Sequence, residues 1–258
     1  MKAIFISDAH LRRSADERYG QFIKFLADLG ECKVRSIVDA EALERKQTPI
    51  DDLYILGDFF DFWFCRKDHI HPEFQLVISK LVALQKSGVR IHLCEGNHDF
   101  FMKEYFHDVL GMEVFEEWAD IKLDGINTLV AHGDTVDRSN YFYILLRKAL
   151  RARAFYHLQR FVPSSILWAI AGISSHTSKT MTVDDGTALV EKMFSFAAGK
   201  LREEYGAVIL GHCHKPVLRN FDLNGKKKTF VTLGDWTSHY SFLYYEDGKF
   251  FMSYYRPR

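Results

Sequence analysis

Five apolar runs in this chain end in the same way, breaking off into a short cluster of Asp, Asn or His. Ala3 to Ile6 leads into Ser7-Asp8-Ala9-His10, and Leu53 to Leu56 into Gly57-Asp58-Phe59-Phe60-Asp61. Val89 to Cys94 leads into Glu95-Gly96-Asn97-His98-Asp99, Thr128 to Ala131 into His132-Gly133-Asp134, and Ala207 to Leu210 into Gly211-His212-Cys213-His214. A short continuous apolar run reads as a buried strand. Ligands of open α/β sheets gather at the carboxyl ends of such strands. The pattern therefore asks for a fold that brings five strand ends to one place.

The segments between the runs fit that demand. Tyr19, Phe22, Ile23, Leu26 and Leu29 fall at helical spacing, as do Phe74, Val77, Ile78, Leu81 and Leu84, with Gly88 as a stop. Residues 31–50 are mixed and charged and read as a more exposed helix and a linker, and Tyr105 to Leu110 reads as helical. Asp124-Gly125 between two β-rich runs signals a hairpin. The tail after residue 215 alternates β-rich runs with turns, a meander completing a second sheet. Residues 141–205 interrupt the strand pattern with helices only, one of them carrying Val190, Met193, Phe194, Ala197 and Leu201 on one face. The expected organisation is a core of residues 1–140 and 206–258 with a helical cap inserted at 141–205.

With 258 residues and 47% hydrophobic content a sizeable core is expected. Lys+Arg and Asp+Glu both number 34, which argues against nucleic-acid binding through bulk charge. Cys32, Cys65, Cys94 and Cys213 show no paired spacing and read as reduced thiols in a cytosolic protein. The opening run meets Asp8 too early to be a signal peptide, and no run approaches the ~20 apolar residues of a membrane span.

Asp8, His10, Asp58, Asn97, His132, His212 and His214 collect as candidate metal ligands. Imidazole and carboxylate together suit first-row divalent ions, and a carboxylate can bridge two of them, a role that falls to Asp58. A water between two such ions is acidified and can attack phosphorus as hydroxide. His98 adjoins the likelier ligand Asn97 and reads as a group that stabilises charge or protonates a leaving oxygen. Asp61 reads as the carboxylate that holds the His98 ring, with helix capping as the alternative. The other histidines, Trp63, Trp236 and Cys213 read as surface, packing or structural residues.

Asp8-x-His10, Gly57-Asp58-x-x-Asp61, Gly96-Asn97-His98-Asp99, His132-Gly133-Asp134 and Gly211-His212-x-His214 resemble the five motifs of calcineurin-like metallophosphoesterases, in order. The resemblance implies a four-layer α-β-β-α sandwich and two divalent ions, often manganese. It implies one ion on Asp8, His10, Asp58 and His214 and a second on Asp58, Asn97, His132 and His212, with His98 and Asp61 as the catalytic pair. A narrower likeness rests on Ser7-Asp8-Ala9-His10-Leu11, Leu56 to Trp63, Asn97 to Phe100, His132 to Thr135, Ser178-Lys179 and His212 to Pro216. These resemble the UDP-2,3-diacylglucosamine pyrophosphohydrolases of lipid A synthesis, with a departure at His98, where that family usually carries arginine, and at Ala9, where it has leucine. The likeness implies cleavage of a UDP-lipid to UMP and a diacylglucosamine 1-phosphate, with Asn97, His98, Asp137, Tyr141, Lys179 and His212 touching substrate. Another diesterase or nucleotide pyrophosphatase activity, or a non-catalytic scaffold, stays open at this point.

The insertion also carries a basic stretch, Arg147 to Arg160, followed by an uncharged one, residues 161–173. It reads either as a solvated helix beside a buried one or as a cap whose apolar groups dip into the inner-membrane surface while its cations meet anionic head groups.

Overall fold

The computed structural model describes the chain except residues 33–35, 39–40, 44–48, 64, 66–69, 138–140, 160–185 and 257–258, with backbone alone at 36–38, 41–43, 142, 153, 158 and 159. Lys179 and the whole uncharged stretch lie outside the described residues.

The first sheet is built on β1 (Lys2–Ile6), β4 (Asp52–Leu56), β5 (Arg90–Cys94) and β6 (Glu113–Phe115), which run parallel. On its other side β1 pairs antiparallel with β12 (Ser241–Glu246), then β13 (Lys249–Tyr255), β2 (Ser36–Val38) and β3 (Glu41–Leu43). The second sheet has the order β10 (Pro216–Leu223), β11 (Lys226–Leu233), β9 (Ala207–Leu210), β8 (Ile126–Ala131) and β7 (Ala119–Leu123). The hairpin of β7 and β8 turns at Asp124 and Gly125, both at positive φ (46° and 87°), as a two-residue type I′ turn requires.

Three apolar clusters hold these layers together. Helices α1 (Glu17–Gly30) and α2 (Pro72–Lys86) cover the outer face of the first sheet, burying Phe22, Phe25, Leu26, Phe74, Val77 and Leu81 against Ile4, Ile6, Leu53 and Ile55. Between the sheets Phe5, Tyr54, Leu56 and Tyr245 meet Leu123, Val130, Ile209 and Val231. The outer face of the second sheet is covered by a helix at Thr187–Arg202, which buries Val190, Met193, Ala197 and Leu201 against Leu129, Val208 and Phe230. The resulting order is helix, sheet, sheet, helix, as the resemblance implied. Trp63 and Trp236 are buried in the first cluster, and Cys213 packs in the third.

Two expectations are corrected. Within 31–50 the described residues form strands β2 and β3, not a helix. Ser36 and Ile37 add to the free edge of β13, where Ile37 faces Tyr254, so the sheet edge overrides weak helical patterning. In the 105–110 region the helix α3 is the short Lys103–Phe106, after which the chain turns. Within residues 141–205, expected as an inserted cap, α4 (Tyr141–Leu150) and α5 (Arg153–Gln159) precede the Thr187–Arg202 helix, α6, which is instead the outer layer of the second sheet. Among the described residues no helix is long and apolar enough to cross a membrane.

Candidate metal centre

All five sequence clusters converge at the carboxyl ends of β1, β4, β5, β8 and β9. Main-chain bonds zip their loops together beyond the strands. Asp8, His10 and Leu11 donate to the carbonyls of Gly57, Asp58 and Phe59, and Asp61 donates back to Leu11. Gly211 donates to His132, and Trp236 to Asp8. Asp99 ties two further loops, because its carboxylate accepts N–H bonds from Asp58 (2.9 Å), Phe59 (2.6 Å), Phe60 (3.1 Å) and Gly96 (2.9 Å). Burial and the nearby Asp58 push the Asp99 pKa up to about 8, against the pull of those donors.

This packing leaves room for glycine alone at two positions. A Cβ on Gly57, which has φ +81°, would stand 2.6 Å from His132 Nδ1, and one on Gly96 would run into Asp58 Oδ1 and its amide. The backbone is also bent at the candidate ligands. Asp8, His10, Asp58, His212 and His214 adopt left-handed φ values of 54°, 45°, 49°, 67° and 55°. Such conformations persist where the surroundings enforce them, and they cluster at functional sites.

The candidate ligand atoms fall into adjoining groups. One is Asp8, His10 and His214, with His214 Nε2 3.3 Å and His10 Nε2 4.0 Å from Asp8 Oδ1. Another is Asp58, His132 and His212, with His132 Nε2 3.5 Å from Asp58 Oδ2 and 3.2 Å from His212 Nδ1. Asn97 joins the second group, its Oδ1 3.0 Å from His132 Nε2. Asp58 Oδ2 stands between the groups, 3.8 Å from His10 Nε2. His10 also groups with Asp61 and His98.

The donor chemistry fits divalent cations. Asp8 Oδ1 and both ring nitrogens of His10 are buried and have no hydrogen-bond partner among the described residues. His132 Nδ1 lies 3.0 Å from the Leu56 carbonyl, to which it must donate, so its Nε2 lone pair is aimed at Asp58, Asn97 and His212. Lone pairs converging without hydrogens between them are satisfied by a cation or by added protons. Burial resists charge on Asp58, yet His132, His98 and His10 hold its carboxyl well below the usual carboxylate range. Burial likewise opposes charge on His132, but Asp58 outweighs it and raises the pKa to about 10. His212, buried beside His132, falls to about 4. His214 is lifted against its burial by Asp8 and Asp235, to about 9. A divalent ion would displace the protons these shifts favour, since it binds neutral imidazole and ionised carboxylate.

His98 lies at the rim, its Nε2 3.9 Å from Asp58 Oδ2 and its main-chain N–H donating to Asp58 Oδ1 at 3.0 Å. The expected role of the Asp61 carboxylate is corrected in one respect. The bond that holds His98 Nδ1, at 2.8 Å, goes to the main-chain carbonyl of Asp61. The Asp61 carboxylate lies 3.6 Å from His10 Nδ1 and 4.0 Å from Arg12 Nε. Of the expected substrate contacts, Asp137 pairs with Lys192 at 2.6 Å and Tyr141 is exposed.

Asp235 was missed. Its Oδ1 accepts N–H bonds from Thr237 (2.8 Å), Ser238 (2.6 Å) and His239 (3.1 Å), while Oδ2 faces His239 Nδ1 at 3.1 Å and His214 Nδ1 at 3.7 Å. Burial raises its pKa, but His214 and the backbone donors prevail and hold it well below the usual range. The signal was present, because Gly234-Asp235 follows an apolar run as Gly57-Asp58 does. Arg147 and Arg151 were misread: both turn inward onto carboxylates behind the site.

The calcineurin-like phosphoesterase family matches residues 1–216. A UDP-2,3-diacylglucosamine hydrolase of Aliivibrio fischeri (strain MJ11) is 30% identical over 254 residues, 96% of this chain and 95% of its own length. One of Vibrio parahaemolyticus serotype O3:K6 is 30% identical over 94% of this chain and 93% of its own. A solved archaeal phosphodiesterase superposes with a TM-score of 0.48 at 13% identity, covering 98% of each chain. The family match over most of the chain, on a fold whose strand ends gather seven candidate ligands, means that this chain belongs to the calcineurin-like phosphoesterases and is a hydrolase.

Proposed function

We propose that the chain hydrolyses the diphosphate of UDP-2,3-diacylglucosamine, releasing UMP and 2,3-diacylglucosamine 1-phosphate. The observation that carries this reading is the extent of the likeness: relatives bearing that enzyme's name align over 96% of this chain, insertion included. Asp8, His10, Asp58 and His214 would hold one divalent ion, and Asp58, Asn97, His132 and His212 a second, with manganese as the proposed metal. Bound there, such a pair acidifies water and neutralises phosphate charge. In the net hydrolysis a water oxygen would bond to the α-phosphorus, releasing its proton, while the bond from phosphorus to the bridging oxygen breaks. UMP keeps the water oxygen, and the lipid phosphate leaves with the electron pair.

The chain's own groups orient this reaction. His98 donates its Nδ1 proton to the Asp61 carbonyl, which fixes the ring and turns Nε2 toward Asp58. From there Nε2 would steady charge on the phosphate or hand a proton to the leaving oxygen. Asn97, His212, Asp137, Tyr141 and Lys179 would contact the nucleotide and sugar. Of the expected cap at residues 141–205, the part before α6 is proposed to take up the acyl chains, since α6 covers the second sheet. Leu145 and Leu146 on α4 are 67% and 46% exposed, which supports a lipid-facing outer side on a peripheral protein of the inner membrane's cytoplasmic face. Arg147 and Arg151 take no part in that face.

Incubation with UDP-2,3-diacylglucosamine and manganese in ¹⁸O-water should yield labelled UMP and the lipid 1-phosphate. A second reading, cleavage of another phosphodiester or nucleotide pyrophosphate, is favoured by His98, which stands where the lipid A enzymes usually carry arginine. Turnover of soluble diesters with an inert UDP-lipid would decide for it.

A further inference from the structure

Helix α4 is inverted relative to an ordinary surface helix, turning Arg147 inward and exposing Leu145 and Leu146, and Arg151 just beyond it turns inward too. The Arg147 and Arg151 side chains are only 11% and 14% exposed. Arg147 Nε donates to Asp134 Oδ2 at 2.6 Å and its Nη1 to Glu117 at 2.9 Å. The Tyr143 hydroxyl donates to the same Asp134 oxygen at 2.8 Å. Arg151, in the turn after α4, donates through Nη1 to Glu95 Oε2 and the Glu116 carbonyl, both at 3.0 Å. Its Nη2 donates to the Gly96 carbonyl at 2.7 Å, and the guanidinium lies over the Phe100 ring, 5.5 Å from its centre. Asp134 is two residues past His132, and the Gly96 carbonyl belongs to the peptide that begins Asn97. One helix thus grips both loops that carry Asn97 and His132.

We propose that Arg147 and Arg151 are positioning residues for the half-site of Asp58, Asn97, His132 and His212, so that retention of a metal ion there depends on the docking of α4. The inference rests on the two-ion reading of the site and deepens it. A guanidinium suits the task because its planar fork can hold several acceptors in fixed directions, which a lysine ammonium cannot. Glu95 reinforces the point: it is buried, its Oε1 accepts the Met102 amide at 2.8 Å, and its Oε2 is left to receive Arg151. The half-site of Asp8, His10 and His214 sits on the loops after β1 and β9 and is steadied by Asp235 instead.

The test is manganese titration of chelator-treated protein, followed by electron paramagnetic resonance, which separates single ions from a spin-coupled pair. Wild type should bind two ions. Arg151→Lys keeps a cation beside Glu95 but cannot span the same acceptors, and Arg147→Gln with Asp134→Asn removes the second grip as a neutral pair. Circular dichroism should show both variants folded. In each, the first ion should bind as in wild type and the second at least about tenfold more weakly, the usual cost of losing a group that orients a ligand. Equal weakening of both ions, or of neither, would overturn the inference. A wild-type protein that binds fewer than two ions would overturn the two-ion reading beneath it.

Discussion

The first sheet carries a polar cluster centred on a buried carboxylate at each end of β1, β4 and β5, and the two clusters are built on opposite terms. At the amino ends Asp52 accepts two hydrogen bonds from Arg90, at 2.8 and 2.7 Å, and meets His92 Nε2 at 2.8 Å. His92 Nδ1 reaches Glu113 at 2.6 Å, and its ring stacks on Tyr54 with centroids 4.2 Å apart. Donors and acceptors there complete one another. At the carboxyl ends Asp8 Oδ1 and the His10 nitrogens, in the loop after β1, have no hydrogen bond among the described residues, and the backbone is held at left-handed φ. Each cluster is centred on a buried carboxylate, so a buried charge does not by itself mark function. What separates them is unmet bonding capacity, which a folded protein tolerates where something else is to be bound.

Exchanging an aspartate at either end would break or sharpen this contrast. Asp58→Asn keeps the side-chain shape and the tolerance for left-handed φ but removes the charge that faces both ligand groups. Turnover should fall at least about a thousandfold, with fewer than two ions retained by elemental analysis. The melting temperature in chelator should also fall, because without metal the Asp58 carboxylate is the partner of charged His132, and comparing that fall with the loss of bound metal separates the two roles. Wild-type turnover in this variant would remove the dinuclear centre from consideration.

Asp235→Asn is expected to act more mildly at the same end. It leaves an oxygen for the backbone donors but weakens the hold on His214 Nδ1. Manganese titration should show one ion weakened about tenfold to a hundredfold, the other unchanged. Equal weakening of both would show that Asp235 steadies the whole cluster. The residue also shows where the sequence was legible and where it was not. Strand ends that break into Asp, Asn or His can be read locally, and the seven candidate ligands, the hairpin at Asp124 and the main amphipathic helices were all found that way. Contacts made across the fold leave no local mark. Arg147 and Arg151 form a basic stretch in the sequence, yet their partners are 13 and 56 residues away along the chain. Strands β2 and β3 exist because β13 offers an edge, which residues 31–50 do not announce. Asp52, His92 and Glu113 meet only because parallel register sets Asp52 opposite Arg90 and His92 opposite Glu113.

The smallest effect is expected at the amino ends, where Asp52→Asn should spare turnover and cost stability. Asp52 is buried, but the Arg90 side chain is 65% exposed, so solvent screens part of the pair. Loss of charge-assisted hydrogen bonds to a buried carboxylate costs about 2 kcal/mol, or roughly 4–8 °C in melting temperature for a chain of this size. The pH dependence gives the sign. Burial alone would raise the Asp52 pKa, but His92 and Arg90 bring it below the usual carboxylate value. A lowered pKa in the folded state means that the stabilisation is fully present above the unfolded value and fades as pH falls through that value toward the folded one. Wild type should therefore lose stability below about pH 4, and the asparagine variant should lack that portion of the loss. Urea unfolding of both proteins between about pH 3 and 7, in chelator to silence the metal ligands, isolates the effect. Parallel curves would mean that the completed network is neutral in sum, leaving the carboxyl ends as the only place where these strands' buried charges matter.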